Sequence, residues 1–346
     1  MARARIATML AALVIAGSAA TQALGQTAPK PLFASNEILH LTIRGPINQI
    51  ARTAEQRAPR DAVMTIPGAA PETLAIQLTP RGITRLRHET CQFPPLRVRF
   101  QRPPGPGSLF AGQKQLKLVT HCRATASFQQ YLLLEYSAYL LYNQLTPLSH
   151  RVRLATIDYV DEANKPVTTR FGFFLEDIDD VAARNSMRSP VTPDRISSSQ
   201  LSPADAARVA LFEYMIGNTD WSMRAGPAGE GCCHNSRLLT RVAGGAFVPV
   251  PYDFDYSGLV NAPYAVTPDG KGDVLKRRYQ GYCKHNAEVL ALAAAIRSQR
   301  VPMLSAFNQV PLDEPTRRRA ASYFISFFND IADDAKTSAK VLKACS

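Results

Sequence analysis

Three short polar groups stand out in the apolar second half of a chain of 346 residues. Asn218-Thr219-Asp220 follows an apolar, helix-like run that ends at Gly217. His234-Asn235 follows a Gly-rich loop. Asp253-Phe254-Asp255 follows the apolar stretch Phe247-Val248-Pro249-Val250. A carboxylate, an amide and a second carboxylate in that order suit phosphoryl transfer, which depends on positioning and charge neutralisation more than on covalent chemistry. Asp220 would orient or deprotonate an acceptor hydroxyl. Asn235 and Asp253 offer the oxygen ligands that, with phosphates and waters, suit Mg2+. Asp255 would share a face with Asp253 on a strand, or reach the same metal if the chain turns there. The plainer reading makes Asp220 an Asx-turn residue after a helix, Asn235 a loop residue and Asp253 a strand end.

Phosphates also need cations. Lys117 lies in Leu116-Lys117-Leu118-Val119-Thr120, whose alternation puts it on the face opposite the two leucines. A lysine is seldom fully buried without a counter-charge. Glu135 falls in the middle of Phe128 to Leu145, a predicted helix that is apolar around much of its surface and therefore buried. The pair expected is Lys117, holding the α- and β-phosphates of a nucleotide, with Glu135 as its ion-pair partner. The alternative is a lysine on an exposed strand face and a glutamate reaching solvent.

The elements that must position these residues change character along the chain. Alternating apolar and polar residues predict strands at Ile38–Ile43, Leu74–Thr79, Leu96–Phe100 and Leu116–Thr120. Residues from Arg44 to about Pro71 read as charged loop. Val152–Tyr159 and Thr168–Leu175 read as a hairpin. Ser202-Pro203 is a helix start, with Ser as N-cap and Pro in the first turn. Further helices are predicted over Asn286–Gln299 and Pro315–Ala344.

The joint order of strand lysine, helix glutamate, hairpin, acidic segment, helix-turn-Asp, His-Asn, strand and Asp-Phe-Asp resembles the atypical protein-kinase-like fold. The spore-coat CotH kinase family is the nearest form. The likeness runs from Leu74 to Tyr256 and includes Arg81-Gly82 with Arg85, and Phe174-Leu175-Glu176 entering a hinge. It implies an α+β, two-lobed protein-kinase-like fold, with a β-rich N-lobe over residues 36–175 and a hinge and helical C-lobe over 176–346. It also implies use of ATP or another nucleotide with Mg2+. Position by position, Lys117, Glu135 and Glu176 would bind the nucleotide, Asp220 would be the catalytic Asp, and Asn235, Asp253 and Asp255 would hold metal. The acceptor would be a protein or a cell-envelope hydroxyl. The alternative is a pseudokinase, a binding or structural module without turnover.

Composition sets the compartment. With 46% hydrophobic and 20% charged residues the chain can bury a core. Arg3 and Arg5 precede an apolar run from Ile6 to about Ala20, and Ala23-Leu24-Gly25 is a small-x-small site. This is the pattern of a secretory signal peptide, residues 1–25, followed by a polar flexible leader over 26–35. An uncleaved anchor is the rival, disfavoured by the short apolar run. No transmembrane span is expected after cleavage, and the mature chain is expected to be periplasmic or secreted. The six cysteines then read as disulfides, with Cys91 bonded to Cys122 and the other four paired among themselves. A zinc site is disfavoured, because no CxxC occurs. The net charge of +12 favours anionic partners. Nucleic acid is not expected, since the basic clusters Lys276-Arg277-Arg278 and Arg317-Arg318-Arg319 are short and carry no recognition motif.

Overall fold

The computed structural model describes residues 27–270 and 272–346. The expected signal peptide lies outside the described residues. Thr27 to Ser35, expected to be flexible, is docked instead. The Thr27 amide donates to Arg184 O, Lys30 Nζ lies 2.6 Å from Asp180, and Leu32 and Phe33 are buried.

Seven strands close into a barrel in the order β1-β2-β3-β4-β5-β7-β6. They are β1 (Leu39–Arg44), β2 (Arg60–Ile66), β3 (Glu72–Pro80), β4 (Leu96–Phe100), β5 (Gln115–Val119), β6 (Val152–Val160) and β7 (Pro166–Leu175). Neighbours β1 to β5 form an antiparallel meander, and β6 and β7 a hairpin. The barrel closes because β1 also pairs with β6 in parallel, from Leu39↔Ala155 to Arg44↔Val160. Inward residues alternate along each strand, as Leu96, Val98 and Phe100 or Leu116 and Leu118, and fill the barrel with side chains.

This corrects the two-lobed protein-kinase-like fold expected from the motif order. Among the described residues, a closed, mixed seven-stranded barrel accompanied by eight helices replaces an open β-rich lobe hinged to a helical one. Two features account for the difference. The segment read as loop after Arg44 contains helix α1 (Ile47–Arg52) and strand β2, whose inward residues Ala62 and Met64 are buried. The parallel β1–β6 pairing then joins residues more than a hundred positions apart.

No hinge separates the halves. Helix α2 (Ala126–Leu145) is buried around most of its circumference, and one continuous core carries its leucines and tyrosines from Val152, Leu154 and Phe173 of the barrel to the later helices. Those are α4 (Pro203–Ile216), α5 (Asn286–Ser298), α6 (Arg300–Asn308) and α7 (Glu314–Asp330); α3 (Ile178–Arg184) packs in a separate cluster with Leu239, Val248 and Val250, and α8 (Asp334–Lys340) follows α7. The predicted last helix is therefore two, α7 and α8, interrupted after Asp330. Strands β8 (Ser236–Leu239) and β9 (Val248–Pro251) form a separate antiparallel pair. Among the described residues, no helix is long and apolar enough to cross a membrane. Disulfides join Cys91 to Cys122, Cys232 to Cys233 and Cys283 to Cys345.

Candidate functional site

A crevice of about 660 Å³ opens where the turn after β3 meets the segments around β8 and β9. Arg81, Arg85, Asp220, His234, Asn235, Arg237, Tyr252, Asp253 and Asp255 all face it. The sequence-predicted Asp220, Asn235, Asp253 and Asp255 thus share one cavity, although they come from two connections and a strand end.

Asp220 is placed by the end of α4. Gly217 stops the helix in the left-handed conformation at φ 68°, with its amide bonded to Tyr214 O. The Asn218 side chain then accepts the Asp220 amide at 3.0 Å, so the Asx turn of the plainer reading belongs to Asn218, and it aims Asp220. Ser222 and His234 exchange backbone hydrogen bonds, which returns His234-Asn235 to Asp220. His234 Nε2 lies 2.8 Å from Asp220 Oδ1. Asn235 Nδ2 donates to the Asp220 backbone oxygen at 2.7 Å and to Oδ2 at 3.1 Å. The hydrogen bond to Asp220 outweighs partial burial and raises the His234 pKa. A Cβ on Gly217 would lie 1.9 Å from Tyr323 Oη. Gly217→Ala is therefore expected to cost about 2–3 kcal/mol from left-handed strain plus overlap, read as a lower urea midpoint at unchanged slope.

Asp253 and Asp255 follow β9 at a left-handed turn, Asp253 having φ 67°. Its amide donates to the hydroxyl of buried Tyr139, at 2.9 Å. Opposite them sits Arg85, on a short 3-10 turn over Thr84–Leu86. Arg85 Nη1 lies 3.3 Å from Glu135 Oε2, Nη2 lies 2.7 Å from Asp253 Oδ1, and Nε lies 3.3 Å from Asp255 Oδ2. One guanidinium thus serves three carboxylates. Burial pushes the pKa of Glu135 and Asp255 up while Arg85 pulls them down. Burial would likewise depress Arg85, but Asp255, Glu135 and Asp253 hold it firmly charged.

The expected Lys117–Glu135 pair does not form. Arg85 takes Glu135 instead, because Glu135 points from α2 toward the turn after β3. Lys117 does face away from the barrel core, as its strand alternation predicted. Its Nζ stacks over the Tyr252 ring at 4.7 Å, and Arg237 lies over the same ring at 5.5 Å. Arg81 lines the crevice nearby. Among the described residues, none of these three cations has a salt bridge. Burial, then repulsion by Arg81 and Arg237, lowers the Lys117 pKa to about 8. Glu176, expected to bind the nucleotide, has partners of its own. It is buried in a two-point ion pair with Arg184, at 3.0 and 3.1 Å, and accepts the Arg151 amide at 2.8 Å, which fixes the β7–α3 junction away from the crevice.

The donor set fits a hard cation in part. The carboxylate oxygens of Glu135, Asp253 and Asp255 cluster within 4.8 Å of one another. Among the described residues, buried Glu135 Oε1 has no hydrogen-bond donor, and Asp255 Oδ2 has the 3.3 Å approach of Arg85 Nε. Asn235 spends its amide nitrogen on Asp220, which leaves its oxygen free. Arg85, however, already neutralises part of this charge. Arg85, Arg81 and His234 carried no distinct role by spacing. An Arg three residues beyond an Arg-Gly, in a chain with three later carboxylates, was the available sign. Neither a protein-family model nor a curated protein matches this chain.

Proposed function

We propose that the crevice transfers a phosphoryl group from a polyphosphate donor, ATP or another nucleotide, to a hydroxyl on a protein or envelope component. The observation that carries this reading is the charge layout. Arg81, Arg237, Tyr252 and the Asp220–His234 pair line the crevice, Lys117 and Arg237 lie over the Tyr252 ring, and among the described residues none of the three cations is in a salt bridge. Three mutually repelling cations favour an anion that satisfies them together.

The residues divide the work as follows. Arg81, Lys117 and Arg237 bind the donor phosphates through charge-assisted hydrogen bonds. Asp220 accepts from His234 Nε2 and so fixes the neutral ring with Nδ1 as its lone-pair nitrogen. That atom has no hydrogen-bond partner among the described residues. The acceptor hydroxyl gives its proton to His234 Nδ1 as its oxygen bonds to phosphorus. The bond from phosphorus to the leaving oxygen breaks, and the leaving phosphate keeps that electron pair beside the cations. Asp220 stabilises the imidazolium that forms. Asn235, Asp253 and Asp255 are the residues that would hold Mg2+, with Glu135 behind them. When bound, it would neutralise charge on the donor phosphates. The three disulfides and the basic-apolar leader support export to the periplasm or the exterior.

A thermal-shift titration with Mg-ATP tests the reading. Saturation to about 100 times Kd is expected to stabilise the fold by about 2.7 kcal/mol. Lys117→Met should weaken binding about tenfold, and Asp253→Ala should remove the Mg2+ dependence. Affinity should fall as pH rises through about 8, where Lys117 loses its charge. A melting temperature indifferent to every nucleotide would sink the proposal. The Arg85 contact on Asp253 favours a second reading, a binding module without turnover. Nucleotide stabilisation with no phosphate transferred to any hydroxyl acceptor would select it.

A further inference from the structure

We propose that the Cys232–Cys233 disulfide is a thiol-exchange site, which takes a dithiol reductant entering the crevice and whose opening loosens His234 from Asp220. Both cysteines line the crevice immediately before His234. Cys232 is half-buried and Cys233 buried, so an incoming thiolate meets Cys232 Sγ first. The other two disulfides differ in kind. They close the chain across 31 and 62 positions, whereas Cys232 and Cys233 are neighbours. A cross-link stabilises a fold largely by restricting the unfolded chain, and the effect grows with the loop that it closes. Cys91–Cys122 and Cys283–Cys345 therefore support the fold, and by linkage the fold protects them equally against reduction. A bond between neighbours restricts the unfolded chain least and receives the least protection in return. Exposure does not set this order, since Cys283 is more exposed than Cys232.

What the bond constrains is local. The small ring that it closes fixes the backbone of the two residues leading into His234. Ser222 and His234 exchange backbone hydrogen bonds at 2.9 and 3.1 Å, and the His234 amide also donates to Ala225 O at 3.2 Å. The intervening stretch folds closely on itself, as a Cβ on Gly226 would lie 2.3 Å from Gly231 O. Opening the ring returns torsional freedom to this backbone. The first side chain beyond it is His234, whose Nε2 lies 2.8 Å from Asp220 Oδ1. In the exchange, one thiolate of the dithiol bonds to Cys232 Sγ and the bond to Cys233 Sγ breaks. Cys233 Sγ keeps the electron pair and takes a proton. The second thiolate of the dithiol then displaces Cys232 Sγ, which is protonated in turn. Two electrons and two protons have passed to the protein, and the reductant departs as a disulfide.

The test is titration of the folded, oxidised full chain with dithiothreitol, followed by alkylation and mass spectrometry. Cys232 and Cys233 should become alkylated while the other four cysteines remain bonded. At that stage amide hydrogen exchange read by NMR should be about tenfold faster at His234 and unchanged in β1 and β6. Cys232→Ser combined with Cys233→Ser should exchange at the faster rate without reductant and show no response to it. If that variant fails to fold, the titration of the unaltered chain still decides. Reduction of the pair only together with, or after, another disulfide would overturn the proposal. So would reduction that leaves His234 exchange as it was. Neither measurement uses a nucleotide or a transferred phosphate, so its outcome is separate from that of the phosphoryl-transfer reading.

Discussion

Replacing Arg85 with methionine is expected to lower the unfolding free energy by about 3–5 kcal/mol at pH 8, the cost of removing one partner from a buried ionic cluster. Glu135 and Asp255 are 2% and 4% exposed, and Arg85 is their only cation within ion-pair distance among the described residues. Without it both carboxyls prefer the protonated form, as burial already urges in the intact protein. Acids whose folded pKa exceeds the unfolded value contribute stability that is complete below the ordinary carboxylate range. That stability is lost as pH rises through the raised folded values. The variant should therefore recover much of its deficit at pH 5, and Arg85→Met combined with Glu135→Gln should be less harmed at pH 8 than Arg85→Met alone. Urea titrations at the two pH values measure this. A deficit that is small and equal at both would show that Arg85 does not neutralise the cluster.

The cluster also shows what the sequence could disclose. Period-two alternation found β4 residue for residue, and the apolar run from Phe128 found α2, because both signals are local and strong. The grouping of Asp220, Asn235, Asp253 and Asp255 was legible too. A glycine-stopped helix, a His-Asn pair and a strand ending in Asp-Phe-Asp each say where the chain turns, and those turns converge. The cation was not legible. Lys117 and Arg85 are both basic residues near the start of apolar elements, and nothing in their neighbourhood tells which one α2 presents Glu135 to. That depends on how the barrel closes, through the parallel β1–β6 pairing between distant segments. Strand β2 was hidden for a related reason. It begins with Arg60-Asp61 and only Ala62 and Met64 of it are buried, so its composition looks like loop. A motif order that resembles a known arrangement therefore picked out four residues that line one crevice, within a fold that it described wrongly.

Asp220→Asn is expected to lower phosphoryl transfer by about 10²–10⁴-fold, the usual worth of a positioned general acid or base. The substitution keeps the shape and the hydrogen bond from Asn235, but an amide can present its NH2 to His234 Nε2. That fixes the tautomer whose lone pair points away from the acceptor. The pH profile separates this from a packing defect. The Asp220 hydrogen bond is the largest cause raising the His234 pKa, ahead of the burial that opposes it. Activity needs neutral His234, so the wild-type rate should rise with pH through that raised value. In the variant the carboxylate is gone, burial is opposed only by the smaller pulls of Asp253 and Glu230, and the acidic limb should move to lower pH even as the plateau falls. His234→Gln should erase the limb. If Asp220→Asn reduces the rate but leaves the limb where it was, His234 is not the base, and Asp220 acts on the acceptor directly.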